Sequence, residues 1–467
     1  MGRLGLVVML VAGVASEARA EVTVPAVPSF EMHVPSANAL GVLQLRALGR
    51  RSYEGKAVTV RGYVTYVYDC VEENLEPYKT RAQIAKELAA NPTRCEAATL
   101  SLGDTKKTPR EFSLRVADLP AGTWKVGEYL EVAGTFAFAS PRGDKDRDGL
   151  VVYASAKRVK PEAGTKAQLP APHAVPPLVA PKPLRTAPPP GQKMKAIASV
   201  IQDARRHVEW LQWKEAQTEY KRVVATWDGN DAIWAELGNA YDQPGMFAEA
   251  AEAYGRAFAL APANPGYAYL YGRALYLREL SSARNAEAKL SLDKAQQMIE
   301  YAITLAPDNW RAHETLAHIH AANEDFKAEA EELSKAIAKA PKDYDPYWRL
   351  ALLYRSWGYE DEALAAVQAW MKLPGIDASA DRPYAVAAEA YEAKGDLKKA
   401  IEMLSIILAH PARAAHRAAL ERARLYIATK QWDKARAELA PFPLHDRSKM
   451  REVNVLLSKI PAVKKKR

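Results

Sequence analysis

The feature that most restricts what this chain can fold into is a spacing. An aromatic or imidazole residue is followed nine positions later by alanine in His207/Ala216, Tyr241/Ala250, Tyr354/Ala363, Tyr391/Ala400 and Tyr426/Ala435. One spacing returning between residues 207 and 435 means that a single supersecondary unit is stacked on copies of itself. The fullest copy reads Trp234, Leu237, Gly238, Tyr241, Ala250, Tyr254, Ala257 and Pro262. Trp234, Leu237 and Tyr241 form the apolar stripe of a first helix. Gly238 and Ala250 are small where two helices cross closely, Ala257 lies on the second helix, and Pro262 stops it.

Those residue types at those spacings resemble the tetratricopeptide repeat family, whose unit is a 34-residue helix-turn-helix. Pro307 to Pro341 spans 34 residues and Pro262 to Pro307 spans 45, so one unit carries an 11-residue insertion around Leu280 to Leu290. Seven units start near 197, 231, 265, 310, 344, 381 and 416, with a terminal helix over Ser448 to Lys459 as a cap. Glu329 replaces the expected alanine of the fourth unit. The resemblance implies an all-α superhelical solenoid over 193–460, whose concave surface is formed by the first helix of each pair and presents side chains to an extended ligand. Aligned on the Trp234 unit, the groove positions are Arg205, Asn239, Asp242, Tyr269, Arg273, Tyr276, Arg311, His318, Trp348, Arg355 and Arg382. Arginine forks and large aromatic rings predominate, so the expected partner is a protein or peptide with an acidic or C-terminal segment.

Ahead of the repeats the composition changes. Nine prolines between Pro170 and Pro190 crowd among Ala and Lys in the 161–192 segment, which predicts a linker of extended polyproline type, with neither helix nor sheet. Before it, 36–160 alternates like β-sheet: Val58 to Tyr68, Leu100 and Leu102, Phe112 to Val116, Tyr129 to Phe138, and Val151 to Val159 give five strands. A short helix is expected over Ala37 to Leu48, capped by Ser36, and another over Thr80 to Ala90, ended by Asn91-Pro92. The start Val58-x-Val60-x-Gly62-x-Val64 resembles the first strand of OB-fold domains. The resemblance implies a small all-β barrel with an inserted helix, with Gly62 permitting sharp coiling. The whole is multidomain.

Residues 1–20 read as a signal peptide. Arg3 precedes the apolar run Leu4 to Val14, and Ala18-Arg19-Ala20 or Val14-x-Ser16 offers a small-x-small cleavage pattern. The run is too short to span a bilayer, so an exported, periplasmic or secreted protein without a membrane span is expected. The 467 residues, 48% of them hydrophobic, suffice for two or three buried cores. The net charge of +9 comes from two places: the 160–195 stretch carries +5, and the basic tail, 461–467, adds +4 through Lys464, Lys465, Lys466 and Arg467. The folded parts are therefore near neutral, and a nucleic-acid partner is disfavoured.

Three further constellations carry chemistry. Cys70 and Cys95 are expected to form a disulfide in an oxidising compartment, two buried thiols being the alternative. Asp144-x-Asp146-x-Asp148-Gly149 alternates carboxylates as a calcium loop does, yet Ser155 stands where an EF-hand places its bidentate Glu, and a charged hairpin tip accounts for the same residues. His313, His318 and His320 are wrongly spaced for a zinc helix and read as packing. There is neither a P-loop nor a Gly-x-Ser-x-Gly elbow, so no cofactor and no enzymatic activity is expected. The leading reading is a non-catalytic exported scaffold that binds a partner in the solenoid groove. The alternative is glycan or single-stranded nucleic-acid binding by the barrel, with Tyr63, Tyr66, Tyr68, Phe136 and Phe138 stacking on the ligand and the repeats serving as a docking arm.

Overall fold

In the computed structural model, the described residues are 24–35, 38–74, 79–92, 95, 98–120, 124–168, 174–184, 191–282, 292–340, 342–373, 381–409, 415–442 and 447–461. The signal peptide, the proposed Ser36 cap, residues 283–290 of the expected insertion and the tail beyond 461 lie outside them.

The N-terminal module contains β1 (Glu31–Val34), β2 (Leu40–Gly41), α1 (Val42–Leu48), β3 (Ala57–Val67), α2 (Cys70–Glu73), α3 (Arg81–Ala90), β4 (Leu100–Gly103), β5 (Leu114–Ala117), β6 (Tyr129–Ala139), β7 (Lys145–Arg158) and β8 (Thr165–Gln168). Strand order β3-β4-β5-β7-β6 closes on itself through a β3–β6 ladder. All pairs in this ring are antiparallel except β5–β7, which is parallel. Alternation does the work: Val58, Val60, Val64, Leu102, Leu114, Val116, Leu130, Val132 and Phe136 point inward and form one core. Gly62 is required there by crowding, since a Cβ would lie 2.7 Å from Val42 Cγ2 where α1 crosses β3. The N-terminus of α1 is capped from a distance, Val42 N and Leu43 N donating to the carboxylate of Asp104 at 2.8 and 2.7 Å. Thr80 caps α3 in a capping box with Gln83.

Two expectations change here. Phe112 leaves the strand pattern and sits in a 3-10 turn, Arg110–Phe112, ahead of β5. The last strand begins at Lys145, so the expected loop from Pro141 to Gly149 shrinks to a tight turn.

The proline-rich segment also departs from the free, structureless spacer its composition suggests. Residues 165–168 form β8, paired antiparallel with β1. Residues 174–184 lie along the helices: Leu184 N donates to Ala259 O at 2.8 Å, Gln297 Nε2 donates to Pro176 O at 2.9 Å, and Leu178 packs on the helical core. Pro176 lacks an N–H group but keeps its carbonyl, which the side chain of Gln297 satisfies.

The helical part comprises the pairs α4 (Gly191–Glu209) and α5 (Trp213–Thr226), α6 (Asp231–Asp242) and α7 (Phe247–Leu260), α8 (Pro265–Ser282) and α9 (Asp293–Leu305), α10 (Trp310–Ala322) and α11 (Phe326–Lys339), α12 (Asp345–Ser356) and α13 (Glu360–Met371), α14 (Asp381–Ala393) and α15 (Leu397–Ala409), and α16 (Ala415–Ala428) and α17 (Trp432–Leu439), then α18 (Arg447–Ser458). The nine-residue spacing has a backbone cause. Met246 N donates to Tyr241 O and Gly245 N to Asp242 O, a Schellman termination with Gly245 at φ +82°. The same paired bonds close the turns at Leu211, Glu324, Gly358, Gly395 and Lys430, all at positive φ. Each aromatic or imidazole residue is thus the last-turn acceptor of a first helix, four residues before the left-handed residue and nine before the crossing position of the second helix, which is alanine except at Glu329. Gly238 is the close-crossing point, its Cβ position being 2.6 Å from the ring of Tyr254.

The two parts are packed together. Phe30 is 1% exposed and lies edge-on to Trp357 and Tyr359 at 5.1 and 5.6 Å, while Glu31 N donates to the Tyr359 hydroxyl at 3.1 Å. At the far end, Val455 of α18 packs on the small cluster of Ile84, Leu88, Cys70 and Cys95, and Lys459 pairs with Glu72 at 3.4 Å. The Cys70–Cys95 disulfide is formed, with 5.4 Å between Cα atoms, and ties α2 to the end of the α3 segment.

Candidate binding cleft

The first helices α10, α12, α14 and α16 face the N-terminal module across a cavity of about 1520 Å³. Its module wall includes Arg46, Phe112 and Phe138; its solenoid wall includes Trp348, Leu353, Arg355, Arg382, Glu389 and Arg424. Apolar and aromatic surface interleaved with fixed charges is what a peptide-sized ligand needs for burial and orientation.

The groove residues expected from sequence divide into three groups. Arg311 and Arg382 are exposed, the Arg311 guanidinium lying 4.6 Å over the Trp310 ring. Asn239, Tyr269, His318 and Trp348 are partly buried, and Tyr276 is buried against His318 with rings 6.2 Å apart. Burial and the nearby Arg349 push His318 down to about 4, so it offers a neutral imidazole at physiological pH. Trp348 packs edge-on to Trp370 at 6.2 Å. The remaining arginines are engaged. Arg273 pairs with Asp242 at 2.7 Å and Arg205 with Glu236 at 2.5 Å, each bridging neighbouring first helices. Arg424 does the same with Glu392 at 2.5 Å. Arg355, expected to face solvent, is instead 3% exposed, and its guanidinium donates to Glu389 of the next first helix. This ladder of ion pairs fixes the angle between units and leaves fewer free cations than the sequence suggests.

Arg355 has more than one carboxylate. Glu111 of the module stands 3.5 Å from Nη2, and Glu360 stands 3.9 Å from Nε. Burial raises Glu360 to about 7 against the pull of Arg355, with Glu111 and Glu389 adding to the rise; Glu389 is raised by burial as well. The Phe112 ring lies 5.2 Å from the Arg355 guanidinium and 5.9 Å from that of Arg46.

Glu111, Phe112, Arg46 and Arg349 escape sequence reasoning. A pair such as Glu111 and Arg355, 244 residues apart, leaves no local trace. Arg349 had a signal: a carboxylate at the small-residue position 329 demands a cation nearby, and Arg349 lies 3.4 Å from Glu329.

The other sequence candidates are placed elsewhere. Asp144 pairs with Arg115 at 2.9 Å, Asp148 with Arg46 at 3.2 Å, and Asp146 accepts from Asp148 N at 2.9 Å. Among the described residues no group of three or more His, Cys, Asp or Glu side chains is placed to hold a metal ion. His313 is buried between Glu332, 2.6 Å from Nδ1, and Pro307 O, 3.1 Å from Nε2. On the barrel, Phe136 is fully buried in the core, while Tyr63 and Tyr66 are each covered on one side by Lys106 and Arg110, at 5.6 and 3.7 Å. Among the described residues no helix is long and apolar enough to cross a membrane.

A tetratricopeptide repeat family model matches residues 232–264, the α6–α7 pair. The α6–α7 pair is accordingly a tetratricopeptide repeat, within a solenoid whose other helix pairs are similar to it. No curated protein matches the chain. Similar solved structures include the C-terminal part of a tetratricopeptide repeat protein from Cytophaga hutchinsonii, at 14% identity and a TM-score of 0.45, covering 54% of this chain and 98% of that one. Another, from Parabacteroides merdae, shows 13% identity and a TM-score of 0.38 over 56% of this chain and 99% of that one. YrrB, described as a tetratricopeptide repeat protein with an unusual peptide-binding site, shows 17% identity and a TM-score of 0.34 over 45% of this chain and 97% of its own.

Proposed function

We propose that this protein is a non-catalytic scaffold, acting after export, that holds a protein or peptide partner in the cleft between its repeats and its N-terminal module. The observation that carries this reading is the cleft itself. A stack of first helices supplies one wall, the module supplies the other, and about 1520 Å³ lies between them. Export is supported by the apolar run at Leu4 to Val14 and by the Cys70–Cys95 bond, which an oxidising compartment preserves. We further read the closed five-strand ring, with its single parallel pair, as an OB-like barrel used here as a wall; the cations over Tyr63 and Tyr66 occupy faces that a base or sugar would need.

The test is capture from a periplasmic extract by the full chain, compared with a double charge reversal at Arg382 and Lys107, cations that line the cleft without building the inter-unit ladder. Loss of the captured protein with an unchanged circular dichroism spectrum supports the cleft. Equal capture by both proteins moves the binding surface elsewhere.

A further inference from the structure

We propose that the turn Pro109–Phe112 is a built-in occupant of the cleft, and that the external partner presents the same chemistry to Arg355: a carboxylate followed directly by an aromatic ring. The inference deepens the cleft reading and rests on it.

Arg355 projects from a first helix, where a groove ligand is met, and its guanidinium fork is divided. Nη1 is held by Glu389 within the solenoid, whereas Nη2 faces Glu111 of the module at 3.5 Å. Phe112 follows immediately and places its ring 5.2 Å from the same guanidinium. A planar cation meeting an oxygen at its edge and a ring at its face is a recognition unit, with the ion pair setting orientation and the ring supplying desolvated area.

The resident turn is built to yield. Glu111 is 54% exposed, and its 3.5 Å contact is at the long limit of a hydrogen bond, so an ion pair of this kind contributes little in water. Among the described residues three carboxylates, Glu111, Glu360 and Glu389, surround one buried cation, and only Glu111 comes from the module. A partner's carboxylate replaces it without adding charge. Beyond the turn the cavity continues past Leu353, Leu352 and Trp348, leaving room for the rest of a peptide. A tethered occupant competes at a millimolar effective concentration, so the resting protein binds an outside ligand more weakly than the empty cleft does, by the factor that the turn imposes.

The experiment uses the full-length protein and two fluorescein-labelled probes, Gly-Ser-Glu-Phe-Ser-Gly and its Gln-Ala counterpart, read by anisotropy. The Glu111→Ala/Phe112→Ala double variant is expected to bind the Glu-Phe probe about tenfold or more tightly than the wild type does. The Gln-Ala probe is expected to bind neither, and Arg355→Lys, checked for helicity, to lose the Glu-Phe probe. Equal binding by wild type and double variant, no binding by the double variant, or binding that survives Arg355→Lys overturns the proposal. If Arg355→Lys does not fold, the comparison of wild type with double variant decides alone. A native partner captured by the full chain but not displaced by excess Glu-Phe probe leaves the cleft function standing and overturns this inference.

Discussion

Glu329 lies 3.4 Å from Arg349, at the position where five of the other second helices have a fully buried alanine. Burial lifts its pKa to about 7, and Arg349, one-third exposed, only partly offsets that cost. The folded chain therefore holds a proton that the unfolded chain releases near pH 4.5. The stabilisation is complete below that pH and is lost as pH rises through 7. Glu329→Gln is expected to match the wild type near pH 4.5 and to be more stable at pH 8 by about 3 kcal/mol, an order-of-magnitude figure from the size of the shift. Urea denaturation of both proteins at the two pH values measures this. Parallel stability–pH curves would show that Glu329 titrates as an ordinary surface carboxylate.

The left-handed turn residues give a prediction of opposite signs. Leu211 and Lys430 occupy φ +57° and +59°, where Gly245, Gly358 and Gly395 stand in other units. Both side chains are exposed, so removing them forfeits little burial. A left-handed conformation costs a residue with a Cβ about 1–2 kcal/mol, and glycine's larger unfolded-state entropy returns part of that. Leu211→Gly and Lys430→Gly are each expected to stabilise by about 0.5–1 kcal/mol, while Gly245→Ala destabilises by a similar amount. Chemical denaturation of the three variants tests the signs; stabilisation by Gly245→Ala would exclude the backbone explanation.

The same turns show what was legible in the sequence. Stacked helix pairs leave a local, periodic record, because an aromatic at a helix end, a left-handed turn and a small residue at the crossing must fall at fixed offsets. The barrel strands were legible for a similar reason, since Val58, Val60 and Val64 must share one face. What failed to show was long-range and depended on which surfaces meet. Arg355 was expected to face solvent, and it is buried where Glu360 and Glu389 of the solenoid and Glu111 and Phe112 of the module converge on it. Composition read 161–192 as a bare spacer because prolines cannot donate, but the short run Thr165–Gln168 donates enough to pair with β1. Such pairing depends on where the other strand is, which composition does not encode.

Asp104 offers a test of the barrel alone. Its carboxylate accepts from Val42 N and Leu43 N, capping α1 from 60 residues down the chain, and burial raises its pKa while those two N–H groups oppose the rise. Asp104→Ala leaves two helix-end donors unsatisfied beneath a packed surface and is expected to cost about 1–2 kcal/mol. Asp104→Asn keeps one acceptor oxygen and recovers part of the loss. Hydrogen exchange at Val42 and Leu43 reads the effect directly: unchanged protection in Asp104→Ala would mean that water replaces the carboxylate without penalty.

Phe30 is an apolar link between the module and the repeats, in one cluster with Met32, Ala47 and Leu48. It has φ +53°, a strained conformation for a residue with a Cβ, and its ring is enclosed by Tyr354, Trp357 and Tyr359. Such strain persists only where the surroundings over-determine it, and the β1–β8 pairing and the Glu31 to Tyr359 hydrogen bond supply that constraint. Truncation to alanine removes an aromatic side chain from a closed pocket, worth about 3–5 kcal/mol in a core that does not collapse, less whatever strain is relieved. That loss falls on the coupling between the two parts, because Phe30 belongs to the core cluster that the module and the repeats share and not to the core of the strand ring. The wild type is expected to melt in one calorimetric transition and Phe30→Ala in two, with the helical signal at 222 nm following only one of them. A single transition in Phe30→Ala, coincident by heat and by circular dichroism, would place the coupling in the Arg355 cluster and the α18 contact instead.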